Sequence, residues 1–445
     1  MEHTPLYSAL LHHRELGRAS FHTPGHKGNP LALPQDLLSL DFTELPDTDS
    51  LFEADGVIAQ AEQHAAQVFG TKATLFSAGG CTLCIQAMLR LCSMNNRRTV
   101  VVSRVLHRSA VNAMALLDLT PVWLMPKQSA GEGLPGRITP ESIRAALEQN
   151  PDAAAVYLTS PDYFGVVSPI REIAEVCRSF QVPLLVDNAH GAHLWYTSLP
   201  HPLTQGATMT ADSPHKTLPV LTGGAWLQIS EERFVADAKQ AMALFGSTSP
   251  SYPVMASLDR AVHWLETEGK TAYAALEQTV SNLRVFARSL GYTLPLGPCD
   301  PTRLSLCTRQ LGISGVELAE CFRKHGVEPE HWDDEAVVLI APPWNTPSDF
   351  ERLRTAMEAG IHLPKTTVLP HPPLPALPEM VCSPREAMFA PQERILLKDG
   401  IGRIAADTAC PCPPGIPVVM PGERITAEAV SFLERYGFLD VKVVK

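Results

Sequence analysis

The sequence predicts an α/β protein whose large domain contains a mainly parallel β-sheet covered by helices. Short apolar runs rich in β-branched residues alternate with helical patterns over residues 73–229. Alternation of this kind favours a parallel sheet with helices on both faces. A long helical stretch over residues 252–290 is followed by a smaller β-α-β-α unit. The 445 residues, 45% hydrophobic and 19% charged, are enough for two or more domains.

Five short apolar runs are predicted as strands of the main sheet. In chain order they are RTVVVS (98–103), TPVWLM (120–125), AAAVYLT (153–159), VPLLVD (182–187) and GAWLQI (224–229). The segments ESIRAALEQ and REIAEVCRSF between them are predicted helices, because apolar residues recur at helical spacing after Thr139-Pro140 and Ser168-Pro169. A ligand of such a sheet is expected at the carboxyl ends of the strands.

The smaller unit is predicted from a strand at 302–309, a helix at 314–325, a strand at 336–342 and a helix that opens at Pro347. The segment after it contains too many prolines for a helix or a central strand. The predicted division of the chain is an N-terminal arm (1–40), a large domain (41–270), a small α/β domain (271–362), a proline-rich linker (363–380) and a C-terminal domain (381–445).

Charge and hydropathy exclude several classes of function. The net charge is −11 and the 36 lysines and arginines are scattered, which argues against a nucleic-acid partner. The N-terminus does not resemble a signal peptide, and no run of about 18 apolar residues occurs. We therefore expect a cytoplasmic protein that is not bound to a membrane.

The cysteines and histidines offer weak metal motifs. The ten cysteines are irregularly spaced, as in a protein with packed or reactive thiols rather than a disulfide framework. Cys81-x-x-Cys84 could form half of a zinc site, but Cys410-x-Cys412 has the wrong spacing for the other half. His22 and His26 are four residues apart, yet the Pro24-Gly25 pair between them excludes a helix. We predict no metal site.

Lys216 is the strongest catalytic candidate in the chain. It lies past a probable strand in SPHKTLPVLTGGAWL, ahead of a glycine pair, in the kind of strand-end loop where chemistry usually occurs. Asp187 ends the apolar run VPLLV. A lysine that forms a Schiff base and a carboxylate that pairs with a protonated pyridine nitrogen are what pyridoxal phosphate (PLP) requires. Together they predict a PLP site. Lys27 is a rival lysine, but no strand precedes it.

The segment SAGGCTLCIQAMLRL is predicted to hold the phosphate of this cofactor. Gly80 allows the backbone to approach an anion closely, and a helix that begins near Cys81 offers free amide groups, with the hydroxyl of Thr82 beside them. A glycine pair before a helix is otherwise simply a tight turn. Ser213 and His215, next to Lys216, are further candidates for the phosphate.

Six blocks of the sequence, in order, resemble the bacterial Orn/Lys/Arg decarboxylases. They are TPLYSAL, FHTPGHKGNP, DFTELPDTDSLFEADGVIAQAEQHAAQVFG, SPHKTLPVLTGGAWL, STSPSYPVMASLD and IGRIAADTACPCPPGIPVVMPGE. The resemblance implies PLP fold type I, which is aspartate aminotransferase-like, with smaller α/β C-terminal domains. Within the family, the chain resembles the short, Gram-positive type, which has no extra N-terminal wing domain.

The resemblance also implies roles for individual residues. Lys216 would carry PLP as a Schiff base, with Asp187 at the pyridine nitrogen. The ring would lie between Ala189 and His107, with His190 near its phenolic edge. Thr82, Ser213 and His215 would bind the phosphate, and Thr248 would do so across the interface of a homodimer, or higher oligomer, with shared sites. Cys81 stands where the family often has a hydroxyl residue.

The implied reaction is decarboxylation of a basic amino acid, arginine first and then lysine or ornithine, to the amine and CO₂ in polyamine-related metabolism. Asp47, Asp49 and Glu423 are candidates to bind the cationic side chain. Asp162 stands where many relatives have threonine, with no evident role. The alternatives are an aminotransferase or aldolase of the same fold, in which Arg303 or Arg309 would hold the α-carboxylate, and an inactive regulatory homologue.

Overall fold

The computed structural model describes residues 5–33, 36–94, 96–126, 134–366, 374–410 and 416–445. Its helices are α1 (Pro5–Glu15), α2 (Val57–Phe69), α3 (Gly80–Cys92), α4 (Arg108–Leu117), α5 (Pro140–Gln149), α6 (Ile170–Ser179), α7 (Pro214–Thr217), α8 (Val235–Ala243), α9 (Tyr252–Trp264), α10 (Lys270–Ser289), α11 (Gly315–Lys324), α12 (Pro347–Gly360), α13 (Pro384–Phe389) and α14 (Ala427–Arg435). Its strands are β1 (Ala19–Phe21), β2 (Ala73–Ser77), β3 (Thr99–Ser103), β4 (Thr120–Leu124), β5 (Ala155–Thr159), β6 (Leu184–Asn188), β7 (Met209–Asp212), β8 (Ala225–Ile229), β9 (Arg303–Cys307), β10 (Val327–Pro329), β11 (His331–Trp332), β12 (Ala336–Ile340), β13 (Gln392–Leu396) and β14 (Asp440–Val444).

A seven-stranded sheet forms the centre of the large domain, in the order β2-β8-β7-β6-β5-β3-β4. Strands β3, β4, β5, β6 and β7 run parallel to one another, whereas β8 is antiparallel to both β7 and β2. The five predicted strands are confirmed as β3, β4, β5, β6 and β8. Strand β2 was not predicted, and the strand expected before Lys216 is β7.

The two predicted helices of this region, α5 and α6, cover the sheet through their apolar faces. Thr139 caps α5, because its side chain accepts a hydrogen bond from the amide of Ser142 at 3.3 Å. Helix α6 begins after Pro169 without a side-chain cap, so Ser168 does not act as one. One core cluster joins both helices to β5 and β6 and contains Ile143, Leu147, Val156, Ile170, Ile173, Cys177, Leu184 and Val186.

The smaller unit contains the four predicted elements as β9, α11, β12 and α12. Strands β9, β12 and β11 form an antiparallel sheet, and α12 begins with a reciprocal capping box between Thr346 and Asp349. The N-terminal segment joins this unit, because β1 pairs in parallel with β10, with Ala19 opposite Val327. The first residues of the chain therefore belong structurally with residues far along it.

At the C-terminus, β13 and β14 form an antiparallel pair that packs with α14 around a separate apolar cluster. Of the predicted linker, residues 367–373 lie outside the described residues, and residues 374–379 have no regular secondary structure. The predicted domain boundaries remain predictions.

Two searches of the described residues concern membranes and metals. None of the described helices has both the length and the apolar character needed to cross a bilayer. Within the same residues, no group of three or more His, Cys, Asp or Glu side chains could hold a metal ion. Cys412, half of one weak cysteine motif, lies outside the described residues.

Candidate active site

A cavity of about 530 Å³ opens at the carboxyl ends of β3, β5, β6 and β7, where the parallel sheet predicts a ligand site. Predicted and unpredicted residues contribute to its lining. The predicted ones are Gly80, Cys81, Thr82, His107, Asp187, Ala189, His190, Ser213, His215 and Lys216. The cavity also includes Thr159, Asp162, Tyr163, Phe164 and His331. Lys27, the rival lysine, does not line it and donates a hydrogen bond to the carbonyl oxygen of His22.

Lys216 lies in α7, directly after β7, and its amine faces His190. The distance from Lys216 Nζ to His190 Nε2 is 3.0 Å. On the other side of the imidazole, both terminal nitrogens of Arg303 lie 3.2 Å from His190 Nδ1. Because a guanidinium only donates hydrogen bonds, Nδ1 is the acceptor and the proton of the neutral ring is on Nε2. The imidazole N–H therefore points at the lysine amine.

The electrostatics of this pair favour the uncharged forms of both side chains. Burial lowers the pKa of Lys216, and the positive charge of Arg303 lowers it further. Burial and the charges of Lys216 and Arg303 hold the pKa of His190 well below its ordinary value. A neutral lysine amine that accepts a hydrogen bond from a neutral His190 Nε2–H agrees with the lowered pKa values of both residues. In this state Lys216 is uncharged, and its lone pair becomes nucleophilic once it is released from the hydrogen bond to His190.

Asp187 lies near the end of β6 and is almost completely buried. Its Oδ2 accepts a hydrogen bond from the hydroxyl of Tyr157, and its Oδ1 accepts one from the amide of Ala189, both at 3.1 Å. Burial raises its pKa, against the opposing charges of Lys216 and His107. A carboxylate in this state is stabilised by a cation placed against it. A protonated pyridine nitrogen is such a cation, so Asp187 fits PLP.

The start of α3 provides the anion-binding end of the cavity. Gly79 occupies the N-cap without a side-chain hydrogen bond, and Gly80 has a φ of 67°, a conformation that favours glycine. The Gly80 amide donates to the carbonyl of Gly223 at 2.8 Å, so the next amides of the helix, at Cys81 and Thr82, are the ones directed at an anion. This arrangement fits a phosphate group.

Two side chains of the predicted phosphate site already have partners. The Ser213 hydroxyl donates to Cys81 Sγ at 2.9 Å, and burial raises the pKa of the Cys81 thiol well above its ordinary value. His215 Nδ1 lies 2.8 Å from the carbonyl oxygen of Gly224 and must donate to it. The Nε2 atom of a neutral His215 is then an acceptor, so this residue donates to a phosphate only when it is protonated. Burial lowers its pKa, although the bond to Gly224 acts in the opposite direction.

His107 and the backbone behind Lys216 are also held in place. His107 caps α4, and its Nδ1 accepts a hydrogen bond from the amide of Ser109 at 3.2 Å.

The backbone next to Lys216 is held by Gly25, which donates its amide to the carbonyl of His215 at 2.8 Å. A Cβ atom at Gly25 would lie 2.6 Å from the Leu218 carbonyl oxygen, so only glycine fits this close approach. The N-terminal segment thus supports the backbone that carries Lys216.

Sequence reasoning missed several residues of this site. Thr159 Oγ1 is buried in the cavity lining without a hydrogen-bond partner among the described residues, as expected of a group that contacts a ligand. Tyr157, which bonds Asp187, was not predicted, and Arg303, considered only as a ligand of an α-carboxylate, instead bonds His190. A signal did exist for Arg303, since a charged residue inside a predicted apolar strand needs a buried partner.

The candidates for binding the substrate cation do not line the cavity. Asp49 has a structural role, because its carboxylate accepts hydrogen bonds from the amides of Ser50, Gly56 and Ile58 at 2.8–2.9 Å around the start of α2. Asp47 and Thr248 are exposed. Their contribution to a site shared between subunits remains a prediction.

For Glu423 the structure requires a correction, because it is fully buried in an ion pair with Arg104. Its two carboxylate oxygens lie 2.6 and 2.7 Å from the Arg104 terminal nitrogens. Arg104 also donates to the carbonyls of Pro417 and Val418. Glu423 therefore attaches the C-terminal unit to the loop after β3 and cannot reach a substrate.

Replacing Glu423 with glutamine is expected to destabilise the fold by about 3 kcal/mol, because Arg104 would remain buried without a counter-charge. Chemical unfolding monitored by circular dichroism measures the change. The double variant Arg104→Met/Glu423→Leu serves as the comparison. It removes both charges and is expected to lose less free energy of unfolding than Glu423→Gln. An unchanged free energy of unfolding in Glu423→Gln would contradict the assignment.

Two family sequence profiles match the chain. Residues 4–290 match the family described as Orn/Lys/Arg decarboxylase, major domain, and residues 368–440 match the C-terminal domain of that family. An arginine decarboxylase of Bacillus subtilis is 32% identical over 97% of this chain and 93% of its own length. An arginine decarboxylase of Halalkalibacterium halodurans is 31% identical over the same shares of both chains.

Solved structures show the same fold. Lysine decarboxylase A from Pseudomonas aeruginosa superposes with a TM-score of 0.77 at 20% identity, covering 98% of this chain and 76% of that one. An alanine–glyoxylate aminotransferase from Nostoc superposes with a TM-score of 0.60 at 16% identity, covering 78% of this chain and 96% of that one. These matches confirm the predicted PLP fold type I.

Proposed function

The chain belongs to the Orn/Lys/Arg decarboxylase family, and from this membership we propose that it is a PLP-dependent carboxy-lyase that converts arginine, or failing that lysine or ornithine, into the amine and CO₂. The observation that carries the proposal is the Lys216 amine, 3.0 Å from His190 Nε2, in a cavity that also contains Asp187 and the start of α3. A Schiff-base lysine, a carboxylate for a pyridine nitrogen and an anion-binding helix end are the three parts that PLP needs.

The residues would hold the cofactor from three sides. Lys216 would bind it covalently, Asp187 would pair with its ring nitrogen, and the amides of Cys81 and Thr82 would bind its phosphate. Ala189 and His107 would contact the two faces of the ring. When bound, PLP supplies an electron-accepting ring that takes the electron pair left at Cα as CO₂ departs.

The protein side chains then control protons and water around the reacting carbon. Burial lowers the pKa of Lys216, which favours the neutral amine, and the hydrogen bond from His190 Nε2–H orients that amine. Lys216 Nζ, or His215 Nε2 once protonated, would return a proton to Cα after the carboxylate has left. Apolar groups form most of the cavity surface, which excludes water and disfavours a retained carboxylate charge.

The aminotransferase alternative requires an arginine that grips the α-carboxylate. Arg303 does not line the cavity, because its guanidinium is bound behind His190 and to the Tyr163 carbonyl at 2.7 Å. Arg309 does not line it either. The geometry therefore favours loss of the carboxylate over its retention. The inactive-homologue alternative is disfavoured by the presence of Lys216, Asp187 and His107 in one cavity.

The decisive experiment is purification with PLP, followed by parallel assays with arginine, lysine and ornithine. We expect release of CO₂ and appearance of the amine, fastest with arginine, and no keto acid. Keto-acid formation would establish the aminotransferase alternative. Absence of both products from a protein that binds PLP would refute the decarboxylase proposal.

We also propose that the protein is a cytoplasmic homodimer, or a higher oligomer, whose sites are shared between subunits. Thr248 and Asp47 are exposed and belong to sequence blocks that resemble the family, so a partner subunit could use them. Size-exclusion chromatography with light scattering measures the oligomeric state. A monomer with full activity would contradict shared sites.

Arg303→Met is expected to raise the pKa of Lys216, because it removes a positive charge that helps to lower this pKa. PLP attachment to the cofactor-free protein should become about ten-fold slower at neutral pH, with the midpoint of its pH profile shifted upward. Absorbance measures the attachment rate at each pH. Arg303→Lys retains the positive charge but not the two-pronged contact to His190, so it should lower the pKa of Lys216 by part of the amount that arginine does. Arg309→Gln is the control, and a pH profile identical to that of the wild type in Arg303→Met would disprove this role.

A further inference from the structure

Among the described residues, two carboxylates line the cavity. Asp187 is committed to the ring nitrogen in the proposed function, whereas Asp162 has no assigned role. Asp162 lies in the turn after β5 and is 5% exposed. Of the carboxylates that the structure describes, Asp162 is therefore the uncommitted one that a cationic substrate meets in this cavity.

One oxygen of Asp162 has a structural role and the other does not. Oδ1 accepts hydrogen bonds from the amides of Phe164 at 2.9 Å and Val166 at 2.8 Å, which hold the turn. Within the described parts of the chain, Oδ2 has no hydrogen-bond donor and no basic side chain forms an ion pair with Asp162. The turn therefore orients the side chain and leaves Oδ2 available to a ligand.

The carboxyl group is costly at this position unless a cation binds it. Burial raises the pKa of Asp162 to about 7, although the two amides and the more distant charges of Arg303 and Arg137 act to lower it. An asparagine or threonine could hold the same turn with a neutral oxygen. A charged group retained against this cost is typical of a binding site.

Aromatic side chains surround the same end of the cavity. Tyr163 and Phe164 follow Asp162 directly, and the ring of His331 lies 5.2 Å from that of Tyr163 in an edge-on arrangement. The Tyr163 hydroxyl is fixed by Glu330 at 2.8 Å. Flat rings beside a carboxylate suit a planar, delocalised cation, which stacks on them while its N–H groups reach the carboxylate.

We propose that Asp162 is the specificity residue of this site and that its Oδ2 binds the distal guanidinium of the substrate. The proposal rests on the proposed function, since it assigns the substrate side chain of the same reaction. It selects a guanidinium over a neutral group of the same shape.

The principal test compares the wild type with Asp162→Asn, which keeps the Oδ1 acceptor for the turn. The KM for arginine should rise between about 10-fold and 100-fold, while the inhibition constant of citrulline, its neutral isostere, should change less than about three-fold. Asp152→Asn, at the exposed opposite end of β5, is the matched control and should change neither. An equal rise in the KM for arginine and the inhibition constant of citrulline, or no change in either, would overturn the proposal.

A second measurement does not depend on catalysis. Agmatine, which carries the same guanidinium, should bind the PLP-free wild type in a calorimetric titration and should bind Asp162→Asn at least about ten-fold more weakly. Agmatine that binds while no amino acid is decarboxylated would preserve the cation site and refute the proposed function. Agmatine that binds both proteins equally, or neither, would refute the cation site.

The stability of the variant separates a binding role from a purely structural one. A carboxyl group with a raised pKa binds its proton more tightly in the folded protein, so its contribution to stability decreases as the pH rises from about 4 to about 7. The groups around it are Arg303, Arg137, His331, His190 and Lys216, all of which remain in the variant. Asp162→Asn should therefore have a higher Tm than the wild type at about pH 8 and a smaller difference at about pH 5. A lower Tm at both pH values would show that the carboxylate is needed for folding, and would count against the proposal.

Discussion

Lys216→Ala is expected to abolish covalent attachment of PLP and to lower kcat by about 10³-fold or more. The side chain that it removes is the amine hydrogen-bonded to His190 within the cavity. Reduction of the PLP-loaded protein with borohydride, followed by mass spectrometry of the peptides, measures the attachment directly. The wild type should carry the adduct on Lys216, and the variant should carry none.

Lys27→Ala is the matched control for this experiment. Lys27 is the other lysine considered for the Schiff base, but it lies outside the cavity lining, with its amine on the carbonyl of His22. Its variant should retain the reducible adduct. An adduct that persists in Lys216→Ala, or disappears in Lys27→Ala at unchanged Tm, would contradict the assignment.

Asp187→Asn is expected to lower kcat by about 10²-fold to 10³-fold, because a neutral amide cannot stabilise a protonated ring nitrogen in this buried position. Tyr157→Phe is the comparison, since it removes the hydroxyl that bonds Asp187 Oδ2 but retains the carboxylate. Its kcat should fall less than about ten-fold. Steady-state kinetics at saturating PLP measure both changes. A kcat for Asp187→Asn within a few-fold of the wild type would exclude the proposed pairing.

Local patterns predicted much of the fold. Strands such as β5 and β6 are continuous apolar runs buried on both faces, and this burial is visible in their composition. Strand β2, ATLFS, was missed because its only adjacent large apolar residues are Leu75 and Phe76 and because it leads directly into a glycine turn. The antiparallel direction of β8 depends on pairing between distant segments, which no local pattern specifies.

The site was predictable where its chemistry is concentrated in one segment. The motifs around Cys81, Asp187 and Lys216 each combine a strand end with reactive side chains, and all three reach one cavity. The ion pair of Glu423 and the backbone hydrogen bonds of Asp49 could not be predicted, because the sequence does not distinguish carboxylates in such contacts from carboxylates in a binding site. Arg303 was considered only for an α-carboxylate, because its contact with His190, over a hundred positions away in the chain, is not visible in the sequence.

The pairing of β1 with β10 affects how the protein is synthesised. A ribosome releases residues 19–21 long before residues 327–329, so the first strand has no partner while most of the chain is being made. Gly25, which donates to the carbonyl of His215, follows β1 by four residues, so we expect its support of the Lys216 backbone to form only after β1 has paired. We therefore expect a nascent chain to gain its ability to capture PLP late, after the small unit has emerged and the N-terminus has returned to it. The ability of Lys216 to capture PLP would then indicate that translation has passed β10.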